Sequence, residues 1–225
     1  MERVRDYFMR NFCVPDSRKV LCFFADHNGF QWGERENLGR YYEQIELEKL
    51  PEEIRTVATP LHPDCLILLH ECVWRSELGA TMTFAHELGH FLQHSNEPKL
   101  WAVDRLLQRL QLGAKPHLKH GWKTPCDTEA RLVAKRVALQ FFDKNGVDKY
   151  VAERIEKAMG SPGEVENWQY VSFTDLSKYS LAKETKSMIQ QYKTSLKQIQ
   201  RFTEFAGLPC ATFDFDCDYW RVEAA

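Results

Sequence analysis

Residues 83–94, Thr-Phe-Ala-His-Glu-Leu-Gly-His-Phe-Leu-Gln-His, constrain this chain more than any other stretch. They contain His86-Glu87-Leu88-Gly89-His90, an H-E-x-x-H pattern. On a helix, residues four apart stand on one face, a turn from each other. Two imidazoles so placed can share one Zn²⁺ at a Zn–N distance of about 2.0–2.1 Å. Glu87 follows the first histidine and projects to one side, where it can take a proton from an activated water without ligating. Phe84, Ala85, Leu88, Phe91 and Leu92 surround these polar residues, which predicts a buried helix over 77–94. Buried ionisable groups need partners or a metal. Gly89 costs a helix interior about 1 kcal/mol against Ala, so a close neighbour is expected there.

A catalytic zinc site takes three protein ligands and leaves one position open. The third ligand is expected from a later helix, in Pro125-Cys-Asp-Thr-Glu-Ala-Arg-Leu-Val-Ala134. Asp127 and Glu129 are the candidates. The apolar stripe Ala130, Val133, Ala134, Val137, Ala138 and Phe141 runs at i, i+3, i+4 spacing, and three residues back from Ala130 is Asp127. Glu129 falls on the flank with Leu132, Arg136 and Gln140. Two positions on a helix differ by roughly 200°, so both carboxylates cannot face one ion. Asp127 is therefore preferred, with Glu129 second. The competing role for Asp127 is a capping box with Thr124.

The rest of the chain predicts an α+β domain, a small sheet packed on the active-site helix with a largely helical C-terminal part. Helix 1–12 and strands 18–25, 40–47 and 65–70 are expected, with a turn at Asn28-Gly29 and a helical turn opened by Pro51. Helices follow at 99–112, at 125–143 ending on an Asn145-Gly146 cap, at 147–159 and at 182–206; residues 164–173 give no clear signal, and 211–220 alternate like an edge strand. The 225 residues, 44% hydrophobic, suit one domain over 1–180, with an amphipathic helix and tail at 181–225 packed on it. Net charge is −2, which offers no electrostatic case for nucleic acid. The start lacks the apolar core of a signal peptide, and no apolar run spans a bilayer. Seven cysteines without C-x-x-C read as reduced thiols in a cytoplasmic protein.

Cys65-Leu-Ile-Leu-Leu-His, followed by Arg75-Ser-Glu-Leu-Gly-Ala-Thr-Met-Thr-Phe-Ala-His-Glu-Leu-Gly-His-Phe-Leu-Gln-His, resembles the core of ImmA/IrrE-type zinc metallopeptidases. In that family a strand precedes an arginine-containing turn and an A-H-E-L-G-H helix, often with a further histidine four residues on, here His94. A later helix carries an E-x-E-A-type segment; Asp127-Thr-Glu-Ala130 matches its position, with Asp where the first Glu stands. The same arrangement resembles the third-ligand helix of thermolysin-like peptidases. The likeness covers residues 65–142. It implies a zincin-like fold, with Glu87 as general base and His86, His90 and Asp127 (or Glu129) on zinc. It further implies cleavage of a specific regulatory protein of repressor or antitoxin type, often encoded nearby. The helix-turn-helix module that family members often carry is not evident here. The rival expectation is a non-catalytic regulator on the same fold that binds a repressor, an antitoxin or nucleic acid. A peptidase acting on short free peptides is a third.

Overall fold

Six consecutive apolar or aromatic-like positions at residues 65–70 demand burial on both faces, and this strand forms the centre of the sheet. The computed structural model describes residues 1–14, 20–25, 38–43, 52–61, 64–98, 100–101, 103–105, 107–108, 124–160 and 162–190. Helix α1 (Glu2–Asn11) comes first, followed by strands β1 (Val20–Ala25) and β2 (Gly39–Glu43), helix α2 (Glu52–Ala58) and strand β3 (Cys65–His70). Every residue of β3 is buried. The order is β1-β3-β2, with β1 parallel to β3 and β2 antiparallel to it. Val20 stands opposite Cys65 on one side, and Gly39 opposite Leu69 on the other.

Both edges of β3 are thus paired. An extended substrate cannot add to residues 65–70, because no main-chain groups are left there. Among the described residues, the edge positions belong to β1 and β2. The His70 amide donates to the Leu38 carbonyl at 2.9 Å. That pairing makes Leu38, Arg40 and Tyr42 the bonded positions and turns the amides of Gly39 and Tyr41 outward.

A 3-10 turn at Glu71–Arg75 leads into helix α3 (Glu77–Asn96). Ser76 caps it, its hydroxyl accepting from the Gly79 amide at 3.1 Å. The helix is buried on nearly every side, as its apolar surroundings predicted. Phe8 and Val4 of α1 and the fully buried Leu88 and Phe91 share one core; burial of each such large side chain contributes roughly 1.5–3 kcal/mol. Helical residues near 100–108 bring Trp101, Asp104 and Leu107 inward.

Helix α4 (Pro125–Ala138) packs along α3 more extensively than any other pair of elements does. Gly89 explains the approach: a Cβ there would lie 3.0 Å from Cα and 3.1 Å from Cβ of Ala130. The two helices touch backbone to backbone.

The end of α4 differs from expectation. It stops at Ala138, and Asn145-Gly146 is not its cap. Asp143 instead opens helix α5 (Lys144–Ala158), its carboxylate accepting from the Gly146 amide at 2.9 Å. The aspartate side chain captures the free amide of the new first turn, so the glycine starts a helix rather than ending one. Residues that gave no clear signal form helix α6 (Pro162–Phe173). Residues 181–190 are helical, with Leu181 and Thr185 buried. The expected Asn28-Gly29 turn and the 211–220 strand lie outside the described residues, as does the expected helix beyond residue 190. Among the described residues no helix is long and apolar enough to cross a membrane. The architecture is α+β in outline: mostly helical, with a small mixed sheet.

Candidate metal centre

Helical spacing brings His86 and His90 onto one face of α3, with their Nε2 atoms 3.1 Å apart. Across the α3–α4 contact, Asp127 Oδ1 lies 3.4 Å from His86 Nε2. One donor atom from each of His86, His90 and Asp127 falls within 4.8 Å of the others, so the group can hold a metal ion. The spacing can be tested against zinc. Ligands at about 2.05 Å from a tetrahedral centre stand roughly 3.3 Å from one another. The His86–His90 and His86–Asp127 separations match that edge length.

Asp127 sits in the first turn of α4. The Thr124 hydroxyl accepts from the Asp127 amide at 3.3 Å, so Thr124 caps the helix as the sequence suggested. The Asp127 carboxylate has other partners. Its Oδ2 accepts from Arg131 Nε at 3.0 Å and from Asn167 Nδ2 at 3.3 Å. Oδ1 is turned towards His86. Burial alone would raise this carboxyl, but the Arg131 guanidinium and the His86 contact outweigh it and hold Asp127 well below the usual carboxylate range. Arg131 is itself stacked against the Trp168 ring at 4.4 Å, which fixes the guanidinium.

Glu129, the second candidate ligand, faces elsewhere. Its Oε2 accepts from Gln93 Nε2 at 2.9 Å, and burial raises its pKa. The helical rotation that separated the two carboxylates in the sequence separates them here. Leu132, expected on a polar flank, is buried; the core surrounds α4 more fully than its stripe indicated.

Glu87 is 5% exposed and projects from α3 towards β2. The outward Tyr41 amide hydrogen-bonds its carboxylate. Burial pushes Glu87 up to about 7, with His86 opposing and Asp127 reinforcing the shift. A Cβ at Gly39 would lie 2.8 Å from Glu87 Oε1, so glycine there makes room for this carboxylate. Burial and the neighbouring His86 lower His90 to about 3, which keeps the imidazole neutral and able to ligate.

His94 does not join the three. Its Nδ1 lies 2.7 Å from the Tyr41 hydroxyl, and its ring packs against Trp101. Trp101 also flanks His90, with ring centroids 5.3 Å apart. Cys126 is buried, and burial raises its thiol, in keeping with a neutral structural role.

Several supporting residues escaped the sequence reading. Gln93 is one turn from His90 and Arg131 one turn from Asp127, so helical spacing could have flagged both. Asn167, Gly39 and Tyr41 come from distant segments and carry no local signal. Asp104 Oδ1 accepts from the Cys126 amide at 2.9 Å, and Tyr179 donates to the Pro125 carbonyl at 2.9 Å. With Thr124 these fasten the turn that presents Asp127. Comparisons with protein-family profiles, with curated proteins and with solved structures each return no match.

Proposed function

We propose that this chain is a zinc-dependent metallopeptidase of the ImmA/IrrE type, with a zincin-like arrangement in which α3 is the active-site helix. His86, His90 and Asp127 hold the zinc, and Glu87 is the general base. The observation that carries the reading is the convergence of these three donor atoms within 4.8 Å, beside a buried glutamate on the same helix. Zinc, when bound, supplies Lewis acidity that activates a water and polarises a carbonyl. Glu87 then takes the proton of the attacking water and returns it to the leaving amine. The Tyr41 amide holds the Glu87 carboxylate in line, and Arg131 and Asn167 hold Asp127. Beside Glu87, β2 is an edge strand among the described residues, and the outward Gly39 groups and Tyr41 carbonyl, apart from the Tyr41 amide that Glu87 takes, are offered to an extended segment of substrate. The substrate is a regulatory protein of repressor or antitoxin type, acted on in the cytoplasm.

The test combines elemental analysis with a Glu87→Gln variant. The purified protein should contain about one zinc per chain, a catalytic site being mononuclear. Glu87→Gln should keep the zinc and lose cleavage of the partner. A Glu87→Gln protein with full cleavage or signalling activity refutes the peptidase reading and leaves a binding regulator in its place.

A further inference from the structure

Gln93 is 3% exposed and makes three hydrogen bonds at the junction of α3 and α4. Its Nε2 donates to the Cys126 carbonyl at 2.8 Å and to Glu129 Oε2 at 2.9 Å. Its Oε1 lies 3.0 Å from His90 Nδ1. A carbonyl oxygen only accepts, so the Cys126 contact admits one orientation of the amide. A flipped amide would set oxygen against oxygen there, whatever the charge on Glu129. The orientation is therefore forced, and Oε1 must face the histidine. Oε1 also only accepts, so Nδ1 of His90 must carry the proton. In a neutral imidazole that leaves the lone pair on Nε2. Nε2 is the atom directed at His86, 3.1 Å away.

We propose that Gln93 is a positioning residue of the metal centre: it fixes His90 in the Nδ1–H tautomer and ties that histidine to the turn presenting Asp127. Residue 126 immediately precedes the ligand on α4, and residue 90 is the ligand on α3. One side chain grips both, so the Gln93 amide couples the two halves of the ligand set. Metal-bound histidines generally donate their other ring nitrogen to such a partner, and losing it costs about 10–100-fold in metal affinity. The assignment rests on the metal-centre reading above, but its tautomer consequence does not need the metal.

The experiment uses the full chain, metal-free and with Zn²⁺. Long-range ¹H–¹⁵N spectra of the metal-free protein should show His90 protonated at Nδ1 and bare at Nε2. In Gln93→Leu that preference should be lost, and Zn²⁺ affinity by chelator competition should fall about 10–100-fold. Gln93→Glu places a second carboxylate beside Glu129 and should also bind Zn²⁺ poorly. A glutamate at 93 also sets a carboxylate oxygen against the Cys126 carbonyl oxygen, so affinity should fall as in Gln93→Leu although the side chain keeps its size, which a purely space-filling role would not do. A wild-type spectrum with the proton on Nε2 overturns the proposal even if Gln93→Leu fails to fold. So does a folded Gln93→Leu protein with the wild-type tautomer and an affinity within about twofold of wild type, well outside the expected range. Failure of the wild-type protein to take up Zn²⁺ refutes the metal centre instead, and the tautomer measurement then decides the role of Gln93 by itself.

Discussion

Replacing Gly89 with alanine tests the close helix contact and the site together. The added methyl would sit 3.0 Å from Cα and 3.1 Å from Cβ of Ala130. Carbon pairs settle at about 3.5–4.0 Å, so α3 and α4 must part by roughly 0.5 Å at this point. Two effects on stability oppose each other. Alanine is the better helix former by about 1 kcal/mol. Overpacking costs about 1–3 kcal/mol. The metal-free variant should thus lie between unchanged and about 2 kcal/mol less stable. No such offset protects the metal centre. Gly89 adjoins His90, and Ala130 is one turn from Asp127, so the separation opens the ligand set directly. Ligand distances tolerate about 0.2 Å, less than half the required movement. Zn²⁺ affinity should fall about 10–100-fold, as it does when ligand positioning is lost. Thermal unfolding of the metal-free protein and chelator competition measure the two quantities separately. If Gly89→Ala raises the melting temperature by about 2–4 °C, the propensity gain alone, with unchanged Zn²⁺ affinity, the contact does not set the ligand spacing.

The Gly39→Ala variant should spare the metal and damage the base, because its Cβ would fall 2.8 Å from both Glu87 Oε1 and Thr83 Cγ2. Peptidase activity should drop on the order of 10²-fold, the usual cost of misplacing a catalytic group by about 1 Å; loss of zinc, or unchanged activity, contradicts the placement. Asp104→Asn probes a buried acid instead. Burial lifts Asp104 from 3.8 to about 7, despite the hydrogen bonds from Cys126 and Thr124 that favour its charged form. The folded value lies above the unfolded one, so the stability linked to this group is full below about pH 4 and declines as the pH rises through about 7. Asp104→Asn should remove that decline, gaining up to a few kcal/mol on wild type between pH 4 and 8 at about 1.4 kcal/mol per pH unit. Unfolding curves for the two proteins that stay parallel across this range rule the account out.

The readable parts of this chain were those governed by local helical geometry. His86, Glu87 and His90 lie within two turns of one helix, and their mutual placement follows from 3.6 residues per turn. The choice of Asp127 over Glu129 used the same periodicity, continued back from Ala130. The apolar run at 65–70 predicts a strand, and β3 is buried throughout and central to the sheet. Periodicity says nothing about which strands take its two edges, and β1 and β2 come from separate segments. The boundary after Ala138 differs from expectation because Asn-Gly more often follows a helix than opens one; Asp143, three residues before the glycine, decides it by accepting from the Gly146 amide. Support from Asn167 for Asp127 crosses 40 residues of sequence, and that from Tyr41 for Glu87 crosses 46, beyond the reach of any local pattern.

The strongest reason to prefer a cation over a capping role for Asp127 lies in counting donors against acceptors. A capping-box carboxylate turns back to the amide of its own cap residue. Here one oxygen is taken by Arg131 and Asn167, and the other faces His86. With Gln93 holding the proton on Nδ1 of His90, its Nε2 is an acceptor, and Asp127 Oδ1 is another. A proton on His86 Nε2 then has to serve both, at 3.1 and 3.4 Å. The centre thus sets two acceptors around a single proton, with the His86 and Asp127 side chains under a fifth exposed, and an unmatched buried acceptor costs roughly 1–3 kcal/mol. A divalent ion in place of that proton can take an electron pair from each of His86, His90 and Asp127, whose donor atoms lie within 4.8 Å of one another. The partners that fix those side chains, Gln93 on one helix and Arg131 and Asn167 behind the other, leave little freedom to relieve the mismatch in another way.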